Sequence, residues 1–181
     1  MAFDDVEVMF STEQIQRRTR ELGEQITRDF CAEELAVICV LKGSFIFCAD
    51  LVRAVDLPLA VDFLGLSSYG GKFESSGVVR ITSDLSRPIE GKQVLVVEDI
   101  IDTGLTMEFL LDNLRTRHPA GVRVCTLLEK PSRAIKKIAI DYTGFVIPDA
   151  FVVGYGLDHD ERYRNLPYIG ILKTEGKDQP Y

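Results

Sequence analysis

Seven consecutive apolar residues, Leu35–Leu41 (LAVICVL), constrain this chain more than any other segment. The run is too short for a helix and rich in β-branched residues, so it reads as a strand covered on both faces. A strand of that kind needs a layer on each side, and the flanking sequence offers helices. Ser11-Thr12-Glu13-Gln14 has the form of a capping box, and Ile15, Thr19, Leu22, Ile26 and Phe30 follow at helical spacing, predicting a helix to about Cys31. A second helix is predicted over Phe45–Val55, after Lys42-Gly43-Ser44. Met107, Leu110, Leu111 and Leu114 form an i, i+3, i+4, i+7 stripe, which predicts an amphipathic helix over Leu105–Arg117. Strands are predicted at Leu59–Gly65, at Val78–Thr82 with Arg80 exposed, at Val94–Val97 and at Val122–Leu128. Shorter ones follow at Phe151–Tyr155 and Ile169–Leu172.

Buried strands alternating with helices imply an α/β protein with a parallel, doubly wound sheet and helices on both faces. Ligands of such sheets bind beyond the carboxyl ends of the strands, near a switch in strand order. The chain has no internal repeat, low-complexity tract or dividing linker. Its 181 residues are expected to form one domain, 1–181.

Charge and cysteine usage exclude several function classes. The formal net charge is −7, with no basic tract, which argues against a nucleic-acid surface. No apolar stretch reaches the roughly 20 residues of a membrane span. The start, MAFDDVEVMF, carries acids where a secretion signal would carry basic residues, so a cytoplasmic protein is expected. Cys31, Cys39, Cys48 and Cys125 contain no CxxC pair and are expected to be small buried hydrophobes. His118 and His159 lie too far apart to complete a zinc site with them.

The chemistry concentrates in VLVVEDIIDTGLTM, Val94–Met107. An apolar strand leads into three acids, Glu98, Asp99 and Asp102, and then into Thr103-Gly104-Leu105-Thr106, a turn suited to an anion at a helix start. Taken alone, Asp102 is a helix N-cap. Glu98 and Asp99 cannot cap the same amides. Adjacent carboxylates at a strand end suit the vicinal hydroxyls of a sugar, directly or through hydrated Mg²⁺. A ribose 5-phosphate unit satisfies both demands, with its hydroxyls on the acids and its phosphate in the turn.

This stretch resembles the phosphoribosyl-diphosphate motif of the type I phosphoribosyltransferases. LKGSFIFCADL (41–51), VDFLGLSSYG (61–70), LLEKPSR (127–133) and IPDAFVVGYGLDHDERYRNLPYIG (147–170) narrow the resemblance to the bacterial-type hypoxanthine(-guanine) phosphoribosyltransferases, over nearly the whole chain from Val6 to Leu172. The resemblance implies that family's fold, with a small hood formed by terminal segments. It also implies transfer of ribose 5-phosphate from phosphoribosyl diphosphate to purine N9. Asp102 would be the general base near the purine N7, and Asp102, Thr103, Gly104, Leu105 and Thr106 would hold the 5′-phosphate. Glu98 and Asp99 would bind the ribose hydroxyls and a Mg²⁺, and Asp158, beside the purine, would ligate a second Mg²⁺ on the pyrophosphate. Lys42 and Gly43, at a non-proline cis peptide, would contact pyrophosphate together with Arg164. Lys130 would donate to the purine 6-oxo group, Phe151 would stack on the base, and the Val152 backbone would read its edge. Ser68 and Tyr69 would close a flexible loop over the reacting centre, while Gly70–Ser76 carry no transferable role. The implied partners are phosphoribosyl diphosphate, hypoxanthine and guanine, within a homodimer or homotetramer, with no nucleic acid and no membrane.

Composition alone gives several of these residues plainer readings. Lys130 beside Pro131 reads as a solvated loop lysine, Phe151 as core, Arg164 as surface charge, and SSYGGKFESSG as an idle loop. Regulators that sense phosphoribosyl diphosphate share the phosphate motif, but would need a basic face or an added domain. A generic nucleotide-binding protein would show GxxxxGK[ST], or GxGxxG after a strand, and neither is present.

Overall fold

The computed structural model of the protein describes residues 5–31, 33–69 and 78–173. Its elements are β1 (Val6–Phe10), α1 (Thr12–Asp29), β2 (Leu35–Leu41), α2 (Phe45–Ala54), β3 (Leu59–Tyr69) and β4 (Val78–Ser83). These are followed by β5 (Gln93–Ile101), α3 (Leu105–Arg115), β6 (Gly121–Glu129), a single 3₁₀ turn at Pro131–Arg133, β7 (Tyr142–Val146), β8 (Val152–Val153) and β9 (Ile169–Leu172).

A six-stranded sheet in the order β4-β3-β2-β5-β6-β7 forms the centre. The apolar run of β2 is buried because its residues feed two separate cores. Leu35, Val37 and Cys39 face α1 and α2, beside Ile15, Leu22, Ile26, Phe47 and Leu51. Ala36, Ile38 and Val40 face α3, beside Met107, Leu110, Leu111 and Leu114. β5 divides the same way, with Leu95 and Val97 on the first face and Val94 and Val96 on the second. The doubly wound architecture is therefore as expected, with helices on both faces.

α1 begins as its sequence predicts. Ser11 Oγ accepts from Gln14 N at 3.4 Å, and Ser11 N donates to Gln14 Oε1 at 2.8 Å, completing a capping box.

Several expectations are corrected. The sheet is mixed rather than wholly parallel: β4 runs antiparallel to β3 at one edge, while the other neighbours are parallel. β3 continues to Tyr69, and β5 continues to Ile101, so Glu98 and Asp99 lie within a strand rather than after it. The strand keeps pairing with β6 on either side of Asp99, where Glu98 stands opposite Thr126 and Ile101 opposite Glu129. β1 and β7 carry no strong strand pattern and were not expected. The FVVGY segment contributes only Val152–Val153, which joins β1 and β9 in a separate antiparallel sheet, β1-β9-β8. This small sheet, drawn from both ends of the chain, is the hood. Cys31 is exposed, whereas Cys39, Cys48 and Cys125 are buried as expected. Among the described residues, no helix is long and apolar enough to cross a membrane.

β2 is the switch point of the sheet: β3 and β4 lie to one side of it, β5, β6 and β7 to the other. The crevice beyond the carboxyl ends of β2 and β5 is where a ligand belongs.

Candidate active site

That crevice is a cavity of about 530 Å³. It gathers Lys42 and Gly43 from the end of β2, and Glu98, Asp99, Asp102, Thr103, Gly104 and Thr106 from the end of β5 and the turn into α3. Asp158 and Arg164 reach it from the loop after β8. Ten residues expected at the site from sequence therefore share one wall. Leu105, Lys130, Phe151 and Val152 do not line it. Ser68 and Tyr69 end β3, but their side chains, and all of residues 70–77, lie outside the described residues.

The Lys42-Gly43 turn is held from below. The buried Ser44 hydroxyl donates to Val40 O at 2.6 Å, and Phe45 N donates to Lys42 O at 3.3 Å. The Leu41–Lys42 peptide bond is cis, as the resemblance implies. Gly43 has no room for a side chain: an added Cβ would overlap Asp99 Oδ2 and stand 2.5 Å from Asp99 Cγ. A Cβ on Gly156 would in turn overlap the Gly43 carbonyl oxygen, and the backbone there, at φ +103°, favours glycine. The Lys42-Gly43 turn, the acids of β5 and the loop after β8 thus meet through two glycines.

Glu98 and Asp99 sit side by side. Desolvation of the Glu98 carboxyl, followed by the neighbouring Asp99 charge, pushes its pKa well above the ordinary carboxylate range. Asp99 Oδ1 accepts from Ile100 N at 2.9 Å.

Asp102 is not the helix cap. The N-cap of α3 is Gly104, at φ +80°, with no side-chain cap bond, and the Asp102 carboxylate turns elsewhere. Arg133 Nε lies 2.9 Å from Asp102 Oδ1, out of line for a hydrogen bond, so that buried oxygen has an ion-pair partner but accepts no hydrogen bond among the described residues. Arg133 Nη1 also meets Asp149 Oδ2 at 3.4 Å, and Asp149 Oδ1 lies 3.8 Å from Lys130 Nζ. A chain of alternating charge, Asp102–Arg133–Asp149–Lys130, links the expected base to the expected purine reader.

Lys130 is buried rather than solvated, at 8% exposure, and its backbone N–H donates to Ile101 O at 3.0 Å. The segment after it is fastened to the turn before α3, because Thr103 O accepts from both Ile135 N and Lys136 N at 3.0 and 2.9 Å. Gly104 leaves no gap there: a Cβ would stand 2.5 Å from Lys136 O. Phe151 is not core. The residue is 45% exposed, and its ring meets His159 edge-on at 5.3 Å.

Arg164 is half-enclosed, not free surface charge. Its Nη1 donates to Gly156 O at 2.8 Å, and its Nη2 pairs with Asp158 Oδ1 at 2.8 Å and Glu161 Oε2 at 3.2 Å. Lys42 Nζ meets the other oxygen of Glu161 at 3.0 Å. The hydrogen bond from Lys42, followed by that from Arg164, lowers the Glu161 pKa. Glu161 lines the cavity, and its sequence context, a run of exposed charges, gave no sign of this. Arg133 and Asp149 were missed for the same reason: their roles are contacts between segments, not patterns within one.

Among the described residues, no three acidic, histidine or cysteine side chains converge as a ready-made metal cage. Glu98 and Asp99 form one oxygen pair, and Asp158 stands apart on Arg164. Such a set fits a hard cation that takes its other ligands from water and substrate oxygens, the usual mode for Mg²⁺.

A model of the phosphoribosyl transferase domain matches residues 9–160 of the chain. Hypoxanthine-guanine phosphoribosyltransferase of Mycobacterium avium is 55% identical over 171 residues, covering 91% of this chain and 84% of the relative. The enzyme of that name from Bacillus subtilis is 47% identical over 173 residues, covering 96% of each. The crystal structure of a hypoxanthine phosphoribosyltransferase from Staphylococcus aureus matches with a TM-score of 0.92 at 46% identity, over 95% of this chain and 94% of that one. A hypoxanthine-guanine phosphoribosyltransferase from Bacillus anthracis, solved with a HEPES molecule in its active site, gives 0.87 at 48% identity, over 91% and 97%. By motif, fold and overall likeness, the chain belongs to the phosphoribosyltransferase family, and within it to the hypoxanthine-guanine phosphoribosyltransferases.

Proposed function

We propose that this protein transfers the 5-phosphoribosyl group from phosphoribosyl diphosphate to N9 of hypoxanthine and guanine. The products are IMP or GMP and pyrophosphate, a purine-salvage reaction in the cytoplasm. The observation that carries this reading is the single cavity in which paired acids, a phosphate turn and two cations meet. The amides and hydroxyls of Thr103–Thr106, with the dipole of α3, receive the 5′-phosphate. Glu98 and Asp99 hold the ribose hydroxyls. The Lys42-Gly43 turn and Arg164 take the pyrophosphate.

As the bond from the anomeric carbon to pyrophosphate breaks, positive charge grows on the ribose and negative charge on the leaving group. The acids face the first and Lys42 and Arg164 the second, so each charge develops opposite its complement. The attacking purine must shed a proton, and Asp102 accepts it near N7. Lys130 donates to the 6-oxo group and so prefers hypoxanthine and guanine to adenine. Phe151 offers a stacking face, and the Val152 backbone reads the base edge. Ser68 and Tyr69 close over the centre and keep water from the reactive sugar. Mg²⁺, bound through Glu98 and Asp99 and again at Asp158, would neutralise charge on the diphosphate. We place the whole chain in one domain, 1–181, acting on small molecules within a homodimer or homotetramer.

The test is pyrophosphate release with hypoxanthine, guanine, xanthine and adenine at saturating phosphoribosyl diphosphate, before and after chelation. Hypoxanthine or guanine is expected to lead, with activity lost on chelation and restored by Mg²⁺. Preference for adenine, or full activity after exhaustive chelation, would overturn the reading.

A further inference from the structure

The two cations expected to bind pyrophosphate already share an anion. Glu161 spans them, with Oε1 on Lys42 Nζ at 3.0 Å and Oε2 on Arg164 Nη2 at 3.2 Å. Its backbone N–H donates to Asp158 Oδ2 at 2.9 Å, which brings the residue to the cavity wall. The residue adopts a left-handed backbone, at φ +62°, in a tight turn where Asp160 and Tyr163 do the same. Both members of the Lys42 pair are about two-thirds exposed, at 68% and 65%, so the contact is loose enough to exchange.

We propose that Glu161 is a resident competitor for the pyrophosphate subsite: its carboxylate occupies Lys42 and Arg164 when the subsite is empty, swings out when a diphosphate arrives, and returns as pyrophosphate leaves. Lys42 and Arg164 cannot satisfy the carboxylate and an incoming diphosphate with the same donors. Binding therefore carries the cost of displacing Glu161, and apparent affinity falls by the fraction of molecules in which the subsite is free. The return of the carboxylate gives the cations a partner as product departs, which favours release. Asp158 and the Gly156 carbonyl keep Arg164 in place through the exchange. This inference rests on the proposed function and adds a residue to its pyrophosphate site.

The sign of one measurement separates a competitor from a brace. Glu161→Gln keeps the size and backbone preference of the residue but removes the charge. Binding of inorganic pyrophosphate with Mg²⁺ is measured by calorimetry on the full chain, and product inhibition by pyrophosphate is measured in the forward reaction. A competitor predicts binding tighter by roughly threefold to tenfold, the scale of one exposed and one partly exposed ion pair, with stronger product inhibition and an unchanged KM for hypoxanthine. Glu161→Asp, too short to span both cations, is expected to give a smaller change in the same direction. Pyrophosphate affinity that is unchanged or weakened in Glu161→Gln overturns the proposal, because a brace for Lys42 and Arg164 would be lost, not a rival. Wild-type protein that neither binds pyrophosphate nor releases it from phosphoribosyl diphosphate overturns the proposed function itself.

Discussion

Replacing Gly43 with alanine adds one methyl group at the most crowded point of the cavity. The new Cβ would overlap Asp99 Oδ2 and stand 2.5 Å from Asp99 Cγ, whereas ordinary contact begins near 3.4 Å. The carboxyl carbon must therefore retreat by about 0.9 Å, the difference between those two distances, or the Lys42-Gly43 turn must rise by as much. The turn is restrained by the Ser44–Val40 bond beneath it and by Gly156 against its carbonyl, so Asp99 is the part that yields. Its hydrogen bond from Ile100 N is lost or lengthened in the process. Misplacement of a reacting group by about 1 Å costs on the order of 10²-fold in rate. Overpacking of this kind costs roughly 1–3 kcal/mol in stability, which lowers Tm by a few degrees in a domain of this size. We therefore expect Gly43→Ala to lose about 10²-fold in kcat/KM for phosphoribosyl diphosphate, with a modest fall in Tm. Adding Asp99→Gly makes room for the methyl group and should restore Tm while leaving turnover lost. Gly43→Ala with kcat/KM within threefold of wild type would refute the reasoning, and so would a double variant no more stable than the single one.

Three further outcomes follow from the site. Lys130→Ala removes the proposed charged donor to the 6-oxo group, so the KM for hypoxanthine should rise roughly tenfold to a hundredfold while that for phosphoribosyl diphosphate holds; steady-state kinetics in both substrates check this, and equal losses would indicate a folding defect. Asp102→Asn keeps the shape of a residue that caps no helix, and turnover should fall by roughly 10²–10⁴-fold with Tm unchanged; near-normal turnover would remove Asp102 as the base. The raised pKa of Glu98 sets the sign of a pH effect. Protonation is favoured in the folded metal-free protein, so the contribution to stability is complete below the ordinary value of 4.5 and is lost as pH rises through the elevated folded value. Glu98→Gln cannot ionise, so its Tm should gain on wild type from about pH 4.5 upward in thermal melts without divalent cations, and a difference constant from pH 4 to 8 would exclude this.

Legibility followed the range of the interactions. β2 matched its prediction to the residue because both faces are covered, so the sequence shows burial without interruption. β5 was predicted short because the acids interrupt its apolar pattern, although the backbone ladder with β6 ignores side-chain polarity. β1 owes its existence to β9, more than 150 residues away, and β7 to the edge of β6, and neither partner is visible locally. The antiparallel course of β4 was hidden for the same reason. At the site, contiguous chemistry was readable: the acids and the turn occupy one stretch and line one cavity. Glu161 meets Lys42 across 119 positions, and Arg133 meets Asp102 with α3 and β6 lying between them in the chain, so no spacing rule could pair them.

The two hydrogen bonds from Ile135 and Lys136 to Thr103 O tie the turn proposed to take the phosphate to the segment proposed to read the base. Lys130 begins that segment and is tied separately to Ile101, at the end of the same strand. On the proposed roles, the span from phosphate to base is set by backbone hydrogen bonds of the fold. The tied segments would work as a calliper. On that proposal, with a sugar phosphate seated in one jaw, a two-ring base would reach the other and a one-ring base would stop short of it. Pyrimidines would then be rejected with no clash and no opposing charge, only by a gap that the smaller ring cannot close, and pyrophosphate release with uracil in place of hypoxanthine would test this.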